Sequence, residues 1–158
     1  MVEQLQSFTE SLPELLAWFG VLVAGAVPFV ESYFGSVIGV VAGVHPAAAI
    51  PVAILGNAVT MLVLVMGAGA ARGRLASDEP TEPSSRRRKL RRMFDRFGVP
   101  GVSLLGQSVL PSQITAAAMV SFGASRSAVI GWQLVSITLW GVAFGLLAVT
   151  GMTVADLG

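Results

Sequence analysis

Apolar residues in this chain fall in long unbroken runs rather than in short amphipathic stretches. No Asp, Glu, Lys or Arg occurs from Ser32 to Ala71, from Phe97 to Ser125, or from Ser127 to Ala155. Runs of this length dissolve in lipid or are buried in protein that is itself in lipid. The first apolar stretch of the chain, Leu15 to Val44, holds about thirty residues and is interrupted near its middle by Pro28 and by the single charge of Glu31. A straight helix of that length would measure about 45 Å against a hydrocarbon core of roughly 30 Å, and two full spans would need about forty residues. The pattern therefore predicts a re-entrant hairpin over 15–44, whose broken tip lies at membrane depth. Such a break is tolerated only where it is buried in protein or lines a wet cavity. His45-Pro46 marks a boundary turn, and 47–71 is long enough for a transmembrane helix.

The same order returns after a polar interval. The stretch 97–125 is broken by Pro111, and 127–150 is a second span beyond Arg126. The fold class expected is all-α and integral to a membrane, an inverted repeat of hairpin plus transmembrane helix, with 1–14 and 151–158 as outer terminal segments. Inverted repeats whose broken helices meet at the midplane recur in secondary transporters. A weak echo, Phe19-Gly20-Val21 against Phe97-Gly98-Val99, accompanies the repetition.

Charge fixes the orientation. Of ten basic residues nine lie between Arg72 and Arg96, so the loop 72–96 is expected in the cytoplasm of a bacterial plasma (inner) membrane. Ser77 to Ser85, with Pro80 and Pro83, reads as a linker. Leu90, Met93, Phe94 and Phe97 then recur at helical spacing among Arg and Lys, predicting a basic amphipathic helix over 86–97 that Gly98 and Pro100 stop. It is either an interfacial helix on anionic lipid or an anchor that sets topology. The basic run is better explained by lipid than by nucleic acid. Composition agrees: 54% of residues are hydrophobic and 12% charged, against roughly 25% charged in soluble domains. The chain has no cysteine, which removes disulfides and thiolate chemistry. The acidic segment before Leu15 does not read as a cleaved signal peptide.

Glu31 is the one acid inside the apolar stretches, where a carboxylate costs about 2.5–3.5 kcal/mol on insertion scales. It is a proton-coupling or cation-binding group, or it satisfies free N–H groups of the half-helix that begins beyond Pro28. At the second tip Gln107, Ser108, Ser112, Gln113 and Thr115 surround Pro111, either to contact a substrate head group or to satisfy backbone that the proline opens. Asn57, beside Gly56, reads first as an interhelical hydrogen-bonding residue. Gly35, Gly39 and Gly43 are spaced four apart, as are Gly141 and Gly145, which suits close helix packing. His45 is expected to be an ordinary interfacial histidine. No phosphate loop, metal-ligand cluster or nucleophile triad stands out, so neither a cofactor nor an enzymatic activity is expected.

Pro28-x-x-Glu31, Gly56-Asn57, Phe97-Gly98, Gly101, and the broken segment with Pro111, Thr115 and Ala116 together resemble the small multi-drug export protein family. That family is similar to the wider DedA superfamily, associated with movement of lipids such as polyprenyl phosphate. The resemblance covers about Trp18 to Gly151 and implies two facing re-entrant hairpins. It departs from the DedA pattern where arginines are typical around the second-tip proline, since Gln107, Ser108, Gln113 and Ile114 stand there. An acid is often found where Asn57 stands, and Arg126 is left as the arginine nearest the embedded regions. The expectation is a small transporter of an amphipathic solute, working as a homodimer because so short a single chain hardly encloses a pathway, with Glu31 coupling it to protons. Lipid translocation is the alternative within transport, and a non-transporting membrane scaffold the alternative from another class.

Overall fold

The computed structural model describes residues 1–11, 13, 16–72, 85–106 and 109–156. Among them the chain is all-helical: α1 (Val2–Ser11), α2 (Ala17–Ala26), α3 (Glu31–Val41), α4 (Pro46–Arg72), α5 (Ser85–Leu105), α6 (Ser112–Ser121) and α7 (Arg126–Asp156). Two helices are long and apolar enough to cross a membrane, through 22 residues of α4 (Pro46–Gly67) and 30 of α7 (Arg126–Ala155). At 1.5 Å per residue these correspond to about 33 and 45 Å. The helices α1 and the last turn of α7 occupy the terminal segments, which the apolar runs do not predict to be helical. Of the linker Ser77 to Ser85, only Ser85 lies within the described residues.

By their contacts the residues form two compact units, 1–59 with 137–158, and 60–136. In the first, α2 and α3 pack as an antiparallel pair, and absent side chains let them approach. A Cβ on Gly35 would lie 3.0 Å from the Gly25 backbone, and one on Gly39 would lie 2.8 Å from Val21. The first part of α4 joins them, with Ala53 against Gly25 and Gly35, Ala49 against Gly39, and Gly56 against the carbonyl of Leu22. From the second part of α7, Gly141 meets Ile54 and Ser32, and Gly145 meets Ile50 and Ser36. Small residues thus draw the helices together, as in membrane bundles. Leu5 of α1 packs on the buried cluster Ala24, Val30 and Ile38, and Thr9 is buried against Gly20.

Gly43 does not belong to that packing set. Nothing lies within 4 Å of where its Cβ would be, and its φ is +84°. It ends α3 in the left-handed conformation, with Val44 N–H on the Gly39 carbonyl (2.9 Å) and Gly43 N–H on Val40 (3.1 Å), a Schellman cap. Gly123, at φ +107°, ends α6 in the same way through Ala124 to Met119 (3.1 Å) and Gly123 to Val120 (3.2 Å). Both corners then reach a long helix after two residues. His45 Nδ1 accepts from Ala47 N–H at 3.2 Å, and Ser125 Oγ accepts from Ala128 N–H at 3.4 Å. His45 is accordingly an N-cap, and the two arm-to-long-helix corners share one design.

In the second unit α5 breaks at Gly98, where φ 63° and ψ −163° leave the helical region. Pro100 follows, and a proline there has no N–H for the preceding turn. The amphipathic segment before the break lays its apolar face on protein. Leu90 is fully buried near Gly106, and the Phe94 ring lies 5.7 Å from that of Phe122, whereas Phe97 is half exposed. A lipid-facing apolar stripe along the whole of 86–97 is not what forms.

Candidate functional site

The first hairpin turns through Val27–Val30, and its backbone there is unusual. Phe29 and Glu31 both adopt positive φ, 71° and 55°, which side chains other than glycine's rarely do. Each such residue costs on the order of 1–3 kcal/mol, and persists only where its surroundings over-determine it. Glu31 N–H donates to the Val27 carbonyl (3.0 Å), and the Tyr33 hydroxyl reaches the Phe29 carbonyl (3.2 Å). Tyr33, Phe34, Phe144 and Trp140 form a chain of ring contacts along α3 and α7, so Trp140 is a packing residue.

Glu31 is completely buried, as are Ser32, Ser36 and Asn57 of the same unit. Helices α3 and α4 run antiparallel with a four-residue step, Gly39 at Ala49 and Gly35 at Ala53. The next step of that register brings Glu31 level with Asn57. Ser32 does not turn back to cap α3. Its hydroxyl donates to the Ile137 carbonyl of α7 at 2.8 Å and ties the tip to that helix. The N-cap residue itself, Val30, has no polar side chain, while Glu31 occupies the first turn where a carboxylate is favoured by the helix dipole. Ser36, one turn beyond Ser32, has a buried hydroxyl with no hydrogen-bond partner.

At the second tip Pro111 breaks the chain in an extended conformation, φ −52° and ψ 147°. Ser112, Gln113 and Thr115 are buried, whereas Ile114 is exposed. Gln107 and Ser108 lie outside the described residues. Thr115 serves the tip itself: its hydroxyl donates to the Leu110 carbonyl at 3.1 Å and its methyl lies near Gly106. Arg126 is exposed at the first residue of α7 and is not part of the tip. Gly35, Gly39, Gly56, Gly141 and Gly145 hold helices close, and Pro28 and Pro111 stand at the two breaks.

Three further polar residues of the second unit are fully buried and escaped the reading of the sequence: Ser103, Gln133 and Ser136. Ser136 Oγ donates to the Ser103 carbonyl at 2.7 Å, joining α7 to α5. Gln133, one turn earlier on that face of α7, has neither its Oε1 nor its Nε2 hydrogen-bonded, and Ser103 Oγ is also unpartnered. The signal was present, since an amide inside an apolar run is what singled out Asn57. Each unit therefore holds buried hydroxyl and amide groups, and the first adds one carboxylate. Such a set can exchange a proton and hydrogen-bond an uncharged or cationic group. Comparison with protein-family models, with curated proteins and with solved structures finds no match.

Proposed function

We propose that this chain is a multi-pass protein of the bacterial plasma membrane that carries a small amphipathic solute across the bilayer, with Glu31 loading and releasing a proton during transport. In this reading α2/α3 and α5/α6 are the re-entrant hairpins of an inverted repeat, α4 and α7 are the spans, and two copies form the working unit. The observation that carries it is the placement of Glu31: a fully buried carboxylate held in left-handed backbone at a broken tip. A neutral Ser or Asn would cap a half-helix without so large a desolvation cost.

The exposed surface supports the membrane part of the reading. Leu55, Val59, Val63 and Met66 point outward along α4, and Leu139, Val142, Leu146 and Leu147 do so along α7, while amides, hydroxyls and a carboxylate lie inside. An outer apolar face of that extent suits lipid rather than water. Proteoliposome uptake and efflux of a panel of amphipathic cations and neutral solutes, with and without an imposed proton gradient, tests the proposal. Gradient-dependent flux supports it. Absence of flux for every solute, in vesicles shown to hold folded protein, favours the scaffold alternative.

A further inference from the structure

A second charged feature lies where α5 meets the end of α6. Arg87, Arg88, Arg91 and Arg92, spaced as neighbours on one face of a helix, line an open basin of about 550 Å³ together with Ser121 and Phe122. Like charges four apart on a helix repel. Among the described residues Asp95 takes Arg91 at 3.0 Å. Among the described residues Arg88 and Arg92 have no ion pair or hydrogen bond.

The basin is also organised. The guanidinium groups of Arg87 and Arg91 lie 5.9 and 5.1 Å from the Phe122 ring centroid. Arg87 Nη2 donates to Ser121 Oγ at 3.3 Å, and that hydroxyl in turn donates to the Ala118 carbonyl at 2.7 Å. Two guanidinium forks are thereby fixed over an aromatic floor, and two more stand beside them. Arginine forks held in this way match the several oxygens of a phosphate better than lone ammonium charges do.

We infer that this basin is a binding site for a phosphate-ester anion, supplied either by the head group of an anionic phospholipid or by a soluble organic phosphate. The aromatic floor suits a ligand with an apolar body next to its charge. The inference is independent of the transport reading, because binding in detergent needs neither coupling nor flux.

Titration calorimetry on the full chain in neutral detergent tests it, with dihexanoyl phosphatidylglycerol, glycerol 3-phosphate and dihexanoyl phosphatidylcholine as probes. Saturable binding of at least one phosphate monoanion or dianion is expected, weakening as salt rises. Arg88→Gln with Arg92→Gln should raise its dissociation constant at least tenfold, while Arg86→Gln with Lys89→Gln, an equal loss of charge outside the basin, should change it less than threefold. Binding of phosphatidylglycerol without glycerol 3-phosphate assigns the lipid source; comparable binding of both assigns the soluble one. Equal losses in the two double variants, phosphatidylcholine binding as tightly as phosphatidylglycerol, or no saturable binding of either anion would overturn the site.

Discussion

At the scale of single residues, burial and polarity are set against each other. The two amide atoms of Gln133 are taken from water and given no partner, which costs about 1–3 kcal/mol for a buried unsatisfied group. A residue kept under that cost suggests use rather than packing. Gln133→Leu, close in volume, is therefore predicted to raise the unfolding temperature in detergent while lowering solute flux. A fall in unfolding temperature would show that the amide has a structural partner after all. Sequence reasoning found Glu31 because a lone carboxylate stands out in an apolar run. It missed Gln133 although the same signal, an amide inside an apolar span, had singled out Asn57. Gly43 was misassigned for a related reason: its four-residue spacing from Gly39 is real, but the helix ends before the spacing can place it in an interface.

At the scale of elements, proline and glycine made much of the architecture legible. Pro28 and Pro111 break their runs, Gly98 stops the amphipathic segment, and Pro46 follows the cap of α4. What covers a face was not legible. The periodicity of Leu90, Phe94 and Phe97 identifies an apolar stripe equally well whether it meets lipid or, as for Leu90 and Phe94, protein. Helix α1 was likewise hidden, because it is fastened through Leu5 and Thr9 rather than through a long hydrophobic stretch. The close approach of α2, α3 and α4 leads to a graded prediction. Gly25→Ala, whose new methyl would meet the Ala53 backbone, should lose about 1–3 kcal/mol in an unfolding titration. Gly131→Ala, facing open space in α7, should instead gain up to about 1 kcal/mol from helix propensity. The opposite order would mean that the α2 to α4 approach is not a feature of the folded protein.

At the scale of the whole molecule, the proposed orientation rests on the basic residues between Arg72 and Arg96, which the positive-inside rule would put on the cytoplasmic side. Single cysteines at Gln4, Ser84 and Gly158 are predicted to react with a membrane-impermeant reagent in intact cells at the first and last positions only. Labelling at position 84 would reverse the orientation. The central claim is that this apolar, inside-polar assembly moves a solute by cycling a proton on Glu31. Its most direct test is proton-driven flux through reconstituted Glu31→Gln, measured beside the melting temperature of the same preparation. Glutamine keeps the shape and hydrogen-bonding capacity of the side chain but cannot cycle the proton. The account predicts a melting temperature close to that of the unaltered protein with gradient-driven flux reduced at least tenfold; flux undiminished in a well-folded Glu31→Gln would contradict it.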